Sequence, residues 1–341
     1  MLRLPLLPLA TALSLTAAAA AHAESLDSLY AKARQAGETQ LVLYTPYGHL
    51  QSVFDAFARA YPGIAVQPAV ISGGGAPLVG RIAAEAASGN HVGDLVLSGM
   101  GDIATLTADG RLEPDTPDEA AALDPQYKDA NGLFQVPFTT LFTLVYNTTL
   151  VKEEQLPRTL DEAIGKSWAG KFGYTRYTGA AAPDLVGATL AHNDAITDEQ
   201  LKAIKANGQV SPTAAQLLTH VAQGRVAFGL WGPTQNVGNL QRDGAPIKVK
   251  YLADSAVTFG PGLSLLRQAP HPNAARLFKG WLLGTAGQTA LTKASSYGTR
   301  TGAPVPPDLP ALEGYRFTGI PLAQWEGQVK SFRTRTLAIF D

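Results

Sequence analysis

Apolar positions along the chain change period repeatedly, and the changes mark out elements. Gln40-Leu-Val-Leu-Tyr44 is a short apolar run of strand type, broken by Thr45-Pro-Tyr-Gly48. Leu50, Val53, Phe54, Phe57 and Tyr61 then recur at helical spacing, and Pro62-Gly63 ends that helix. Ile64–Ile71 reads as the next strand. Ser72-Gly-Gly-Gly75 leads into a helix with Pro77 in its first turn and with Leu78 and Ile82 facing inward. Asp94–Leu97 is a third strand, closed by Ser98-Gly-Met-Gly101. Strand, helix and strand joined by short turns predict βαβ units on a largely parallel sheet.

The alternation resumes further on. Phe142–Tyr146, Gly170–Tyr174 and Arg225–Trp231 are strand-like, Leu160–Ile164 is helical, and Leu217, Leu218 and Val221 form a short amphipathic stretch. Val257–Leu266 is a long apolar run, followed by a helix carrying Ala274, Ala275, Leu277, Phe278 and Trp281. Pro304–Pro310 is a loop, and a final helix starts near Leu322. No repeat of fixed period and no flexible linker separates the two regions. Two α/β lobes joined by crossing strands fit this pattern better than two independent beads.

Composition narrows the class. The chain has 341 residues and a formal charge of −1, which argues against a nucleic-acid binder. Cysteine is absent, which excludes disulfides, thiolate metal sites, a thiol nucleophile and a lipid-acceptor cysteine. Arg3, the apolar stretch Leu4–Ala20 and Ala21-His22-Ala23 form a secretory signal pattern, with cleavage after Ala23 and export to the periplasm expected. The mature chain is expected to be a soluble monomer.

The search for catalytic motifs is negative. Gly165-Lys166-Ser167 lacks the phosphate-loop glycine, since Leu160 stands there, and Leu78 occupies the third glycine of a dinucleotide fingerprint. No histidine pair has metal-binding helical spacing, and Ser98 does not sit in a nucleophile elbow. The sequence demands no enzyme, no cofactor and no resident metal. The informative segments are strand ends, where open α/β sheets bind ligands. Tyr44-Thr-Pro-Tyr47, Ser72–Gly75 and Ser98-Gly-Met100 are rich in hydroxyls and glycine, and two of them precede helix N-termini that attract an oxyanion.

In their order and spacing, several segments resemble the periplasmic substrate-binding proteins of ABC importers, in the branch that includes ferric-iron binders. They are Tyr44 with its strand, Phe57–Ile64, Ser72–Gly75, Asp94–Ser98, Leu106–Pro114, Leu144–Thr148, Leu156-Pro157 and Ser167–Lys171. The resemblance implies the type II periplasmic binding fold: two lobes, each a mixed, mainly parallel sheet flanked by helices, joined by crossing hinge strands. It implies a signal peptide at 1–23, lobe one at 24–137 plus 256–341, and lobe two at 138–255. It also implies closure over one solute and docking on a membrane permease driven by an ATPase. Ferric binders of this branch carry two adjacent tyrosines after the strand matching Arg225–Trp231. Here Gly232-Pro-Thr-Gln-Asn236 follows, Ala76 replaces a glutamate, and only His49 lies near the family's histidine. These departures favour a small organic anion, such as a phosphonate, phosphate ester or carboxylate, with ferric iron and an enzyme on the same fold as alternatives. The donors expected around the anion are Thr45, Ser72, the amides of Gly73, Gly74 and Gly75, Ser98, Gly99, Thr139, Thr140, Thr178, Thr234 and Gln235. Arg176 is expected to fork onto it, with Tyr44, Tyr47 and Trp231 flanking the apolar part.

Overall fold

A computed structural model describes residues 24–71, 75–177, 181–315 and 317–340, with backbone alone at 181, 182 and 239. The expected signal segment, Ser72, Gly73, Gly74 and Thr178 lie outside the described residues. The first region runs α1 (Leu26–Gln35), β1 (Gln40–Thr45), α2 (Gln51–Ala60), β2 (Ala65–Val70), α3 (Ala76–Ser88), β3 (Leu95–Ser98), α4 (Met100–Ala108) and β4 (Leu112–Glu113). The stripe predicted for α2 is real: Val53, Phe54 and Phe57 are its buried residues. Phe57 meets Phe278 edge-on at 5.1 Å, which docks α2 on a helix from much later in the chain.

The middle region holds β5 (Phe138–Asn147), α5 (Leu160–Ile164), β6 (Phe172–Thr175), α6 (Ala181–His192), α7 (Asp198–Asn207), β7 (Gln209–Ser211), α8 (Ala214–Ala222), β8 (Phe228–Pro233), α9 (Thr234–Arg242) and β9 (Ile247–Lys250). α6, α7 and α9 are additions to the sequence reading. α7 starts at a capping box in which Thr197 accepts the Gln200 N–H while the Gln200 side chain accepts the Thr197 N–H. That spacing was legible in the sequence.

The remainder comprises β10 (Val257–Phe259), β11 (Gly262–Leu266), α10 (Pro272–Leu283), α11 (Thr285–Lys293), β12 (Tyr297–Gly298) and α12 (Leu322–Phe340). Two sheets result. The first has order β2-β1-β3-β11-β4, with β2, β1 and β3 parallel and β11 antiparallel to its neighbours. In the second, β8, β6 and β7 are parallel, while β5 runs antiparallel to β8, β9 and β10. The apolar run Val257–Leu266 thus divides between the sheets: β10 joins the second and β11 the first. The chain crosses at Gly260-Pro261, where a Cβ on Gly260 would overlap the Phe138 carbonyl oxygen. Only glycine lets the two crossing segments lie this close. Beside them, Gln135 and Leu263 exchange backbone hydrogen bonds of 3.1 and 2.7 Å.

α12 departs from the expectation that everything after 256 belongs to lobe one. It packs against α6 and α7 of lobe two as well as α4 of lobe one. Phe332 is buried in lobe two's core, where it meets Tyr177 edge-on at 5.9 Å and presses on Gly187, whose missing Cβ makes room for the ring. Arg335 pairs with Asp198, and Lys205 Nζ donates to the Ile339 carbonyl at 2.8 Å. The buried residues of α12 are Trp325, Phe332 and Thr336, a narrow stripe along one side of the helix.

Candidate functional site

A cavity of about 540 Å³ opens between the lobes. Lobe one contributes Pro46 and Tyr47 after β1, Gly75 before α3, and the β3–α4 turn from Ser98 to Asp102. The crossing segments contribute Phe138, Thr140 and Phe142 from β5, and Phe259, Gly260 and Pro261 from the other strand. Lobe two contributes Asp184 and Leu185 of α6 and Gln235 of α9. Trp325, Val329 and Arg333 of α12 close the remaining side.

The lobe-one wall follows from local rules. β3 ends at Ser98, Gly99 caps α4, and the Asp102 N–H donates to the Gly99 carbonyl at 3.0 Å. Asp102 stands in the first turn, where a carboxylate is stabilised by unpaired amides and the helix dipole. Its Oδ2 accepts the Ser98 hydroxyl at 2.5 Å and the Gly75 N–H at 3.0 Å. Burial, followed by the Asp102 charge, pushes the Tyr47 phenol above the usual tyrosine range. On the other wall, the Thr140 hydroxyl donates to Gln235 Oε1 at 2.6 Å, joining β5 to the start of α9.

Of the described residues expected at the site, Tyr47, Gly75, Ser98, Gly99, Thr140 and Gln235 line the cavity. The others stand elsewhere. Tyr44 is fully buried with its hydroxyl against Glu85 and Arg81 of α3, and burial pushes it up to about 12. Thr45 is buried and accepts the Tyr47 N–H at 3.1 Å. Thr139 and Thr234 are buried outside the lining. Trp231, at φ 54°, is buried and donates its indole N–H to the Ser255 carbonyl at 2.8 Å. Arg176 is exposed between buried Thr175 and Tyr177. It lies just past the end of β6 and does not line this cavity.

Residues not expected at the site supply all of the charge in the lining, Asp102, Asp184 and Arg333, and every ring but Tyr47: Phe138, Phe142, Phe259 and Trp325. Only Asp102 had a local signal, a carboxylate four residues after a strand-end serine. The rest converge through tertiary packing. Among the described residues, no three His, Asp or Glu side chains cluster in a way that could hold a metal ion. Nor is any helix among them long and apolar enough to cross a membrane.

Two lobes with crossing segments and a cavity between them define a solute-binding protein of the type II periplasmic binding fold. The chain belongs to the bacterial extracellular solute-binding protein family, whose model matches residues 52–312. An Fe(3+)-binding periplasmic protein of Serratia marcescens is 25% identical over 202 residues, which span 57% of this chain and 60% of that relative's length. Iron-bound HitA from Pseudomonas aeruginosa superposes with a TM-score of 0.71 at 22% identity, covering 88% of this chain and 99% of that one. A Bordetella ferric binding protein gives 0.72 at 18% identity, covering 88% and 98%. At these identities the structural likeness establishes the fold.

Proposed function

We propose that the chain is the periplasmic solute-binding component of an ABC import system, which captures a small cargo between its lobes and hands it to a membrane permease. The observation that carries this reading is the cavity, walled by both lobes and both crossing segments. A cargo touching both walls completes its contacts only in the closed form and shifts the population toward closure by that difference in affinity.

Gly99 offers a direct test. It lines the cavity with φ −56°, and a Cβ there meets nothing within 4 Å. Gly99→Phe should therefore fill the cavity without straining the backbone. In a thermal-shift screen of metals and organic solutes, at least one compound should raise the apparent melting temperature of the wild type and leave Gly99→Phe unmoved. Equal shifts in both would place binding elsewhere.

Ferric iron is the cargo that the relatives favour, since the Serratia protein and the two structural neighbours are named for it. A phenol and two carboxylates, Tyr47, Asp102 and Asp184, supply hard oxygen to the same cavity. Iron held by Tyr47 would give a visible charge-transfer band, lost in Tyr47→Phe. The organic anion expected from sequence has weaker support. Arg176 faces solvent, the Ser98 hydroxyl is engaged by Asp102, and Arg333 is the one basic residue among those described in the lining.

A further inference from the structure

We infer that α12 is a latch: anchored in lobe two by its second half, it seats its first turns on the start of α4 and sets the spacing of the lobes before any cargo arrives. This rests on the capture role proposed above and adds a tie on the cavity side that the crossing strands do not provide. The chain runs from lobe one to lobe two through residues 301–317 to reach it. The Thr301 N–H donates to the Ala122 carbonyl of lobe one at 2.9 Å. Phe317 and Ile320 are buried in lobe two's core, and Thr318 exchanges hydrogen bonds with Asn193 just past α6. Pro304, Pro306, Pro307 and Pro310 stand between, and a fixed φ at each leaves this connection little slack.

The two halves of α12 make different contacts. In the second half, Phe332 fills the space over Gly187, and Arg335 pairs with Asp198 and donates from Nη2 to the Ile196 carbonyl at 3.2 Å. Phe340 meets the Tyr177 ring at 5.0 Å. All these partners belong to lobe two. In the first half, Leu322 packs against the lobe-one cluster that holds Ile103 and Leu106 of α4. Buried Trp325 stands over Gly101, where a Cβ would come within 3.5 Å of the indole nitrogen. Met100 packs against the cores of both lobes. The helix must therefore travel with lobe two, and a rotation that swings lobe two away from α4 strips Leu322, Trp325 and Met100 of apolar contact. The latch seats on the same turn that forms the lobe-one wall, where Asp102 is held by Ser98 and Gly75. A contact already made in the empty protein reduces the differential affinity that cargo has to supply for closure.

Lobe-to-lobe distances in residues 24–341, with no cargo added, test this. The chain has no cysteine, so Ser52→Cys on α2 and Lys202→Cys on α7, both exposed positions, carry a spin-label pair without background. The parent pair should give one dominant distance. Leu322→Ala shaves the latch and Gly101→Phe wedges it from the lobe-one side, and each should raise the population at a second distance about tenfold. Trp325→Ala should do the same, and Trp325→Phe should restore most of the parent distribution. Leu337→Ala, an exposed change late in the same helix, should leave the distribution unmoved. Gly101→Phe leaves α12 itself intact, so it decides the matter if Trp325→Ala misfolds. Identical distributions in the parent, Leu322→Ala and Gly101→Phe overturn the latch, as does an equal shift from Leu337→Ala. The capture role is judged separately, by whether Gly99→Phe abolishes the shifts found in the solute screen.

Discussion

The two walls of the cavity are built in opposite ways. Lobe one presents a turn: β3 ends, α4 begins, and Ser98, Gly99 and Asp102 are placed by hydrogen bonds within a handful of residues. Lobe two presents helix faces, with Asp184 and Leu185 on α6 and Trp325, Val329 and Arg333 on α12, about 140 residues apart in the chain. The first wall is fixed by local backbone geometry. The second exists only once α12 has packed. One wall should therefore tolerate loss of distant packing and fail when a capping hydrogen bond goes, and the other should do the reverse.

The strongest challenge to the second wall is Phe332→Ala. This ring is 3% exposed and fills the space over Gly187, so truncation should cost about 3–5 kcal/mol. Urea unfolding should show that loss, and exchange protection should drop first in α12. A smaller effect, about 3 kcal/mol, is expected for Gly260→Ala, because the new methyl would press on the Phe138 carbonyl and part the crossing segments. Cargo affinity should fall with it if the hinge positions both walls.

On the lobe-one side, Asp102→Ala leaves the Ser98 hydroxyl and the Gly75 N–H without their acceptor. About 2 kcal/mol of stability should be lost, with α12 undisturbed. Amide exchange confined to α3 and α4 would support the local character of this wall; loosening of α12 would break the comparison. The mildest change, Thr140→Val, removes one hydrogen bond to Gln235 and should cost about 1 kcal/mol in thermal unfolding.

The same contrast explains what the sequence could reveal. Strand ends followed by helix starts are short-range signals, and they led to Tyr47, Gly75, Ser98 and Gly99 in the lining. The role given to Ser98 as a ligand donor missed that a nearby carboxylate would take its hydroxyl. Arg176 offers a charge after a strand, but it lies beyond the last residue of β6 and is exposed, and no local pattern shows which way a residue past a strand end faces. Phe142 and Phe259 enter only as members of apolar runs and Trp325 only through the final helix, because nothing within a few residues marks a ring that faces a cavity. The final helix was visible from Leu322; its partner was not, since periodicity gives a helix its apolar face without naming what covers it.

Hydrogen–deuterium exchange of residues 24–341, with the best binder from the solute screen and in parallel with ferric citrate, tests the central claim most directly. If the cavity captures its cargo by closing two walls, at least one of these compounds will slow exchange at 98–102 and at 325–333 together. Protection confined to one wall, protection elsewhere on the molecule, or no protection by either compound would contradict capture of such a cargo between the lobes.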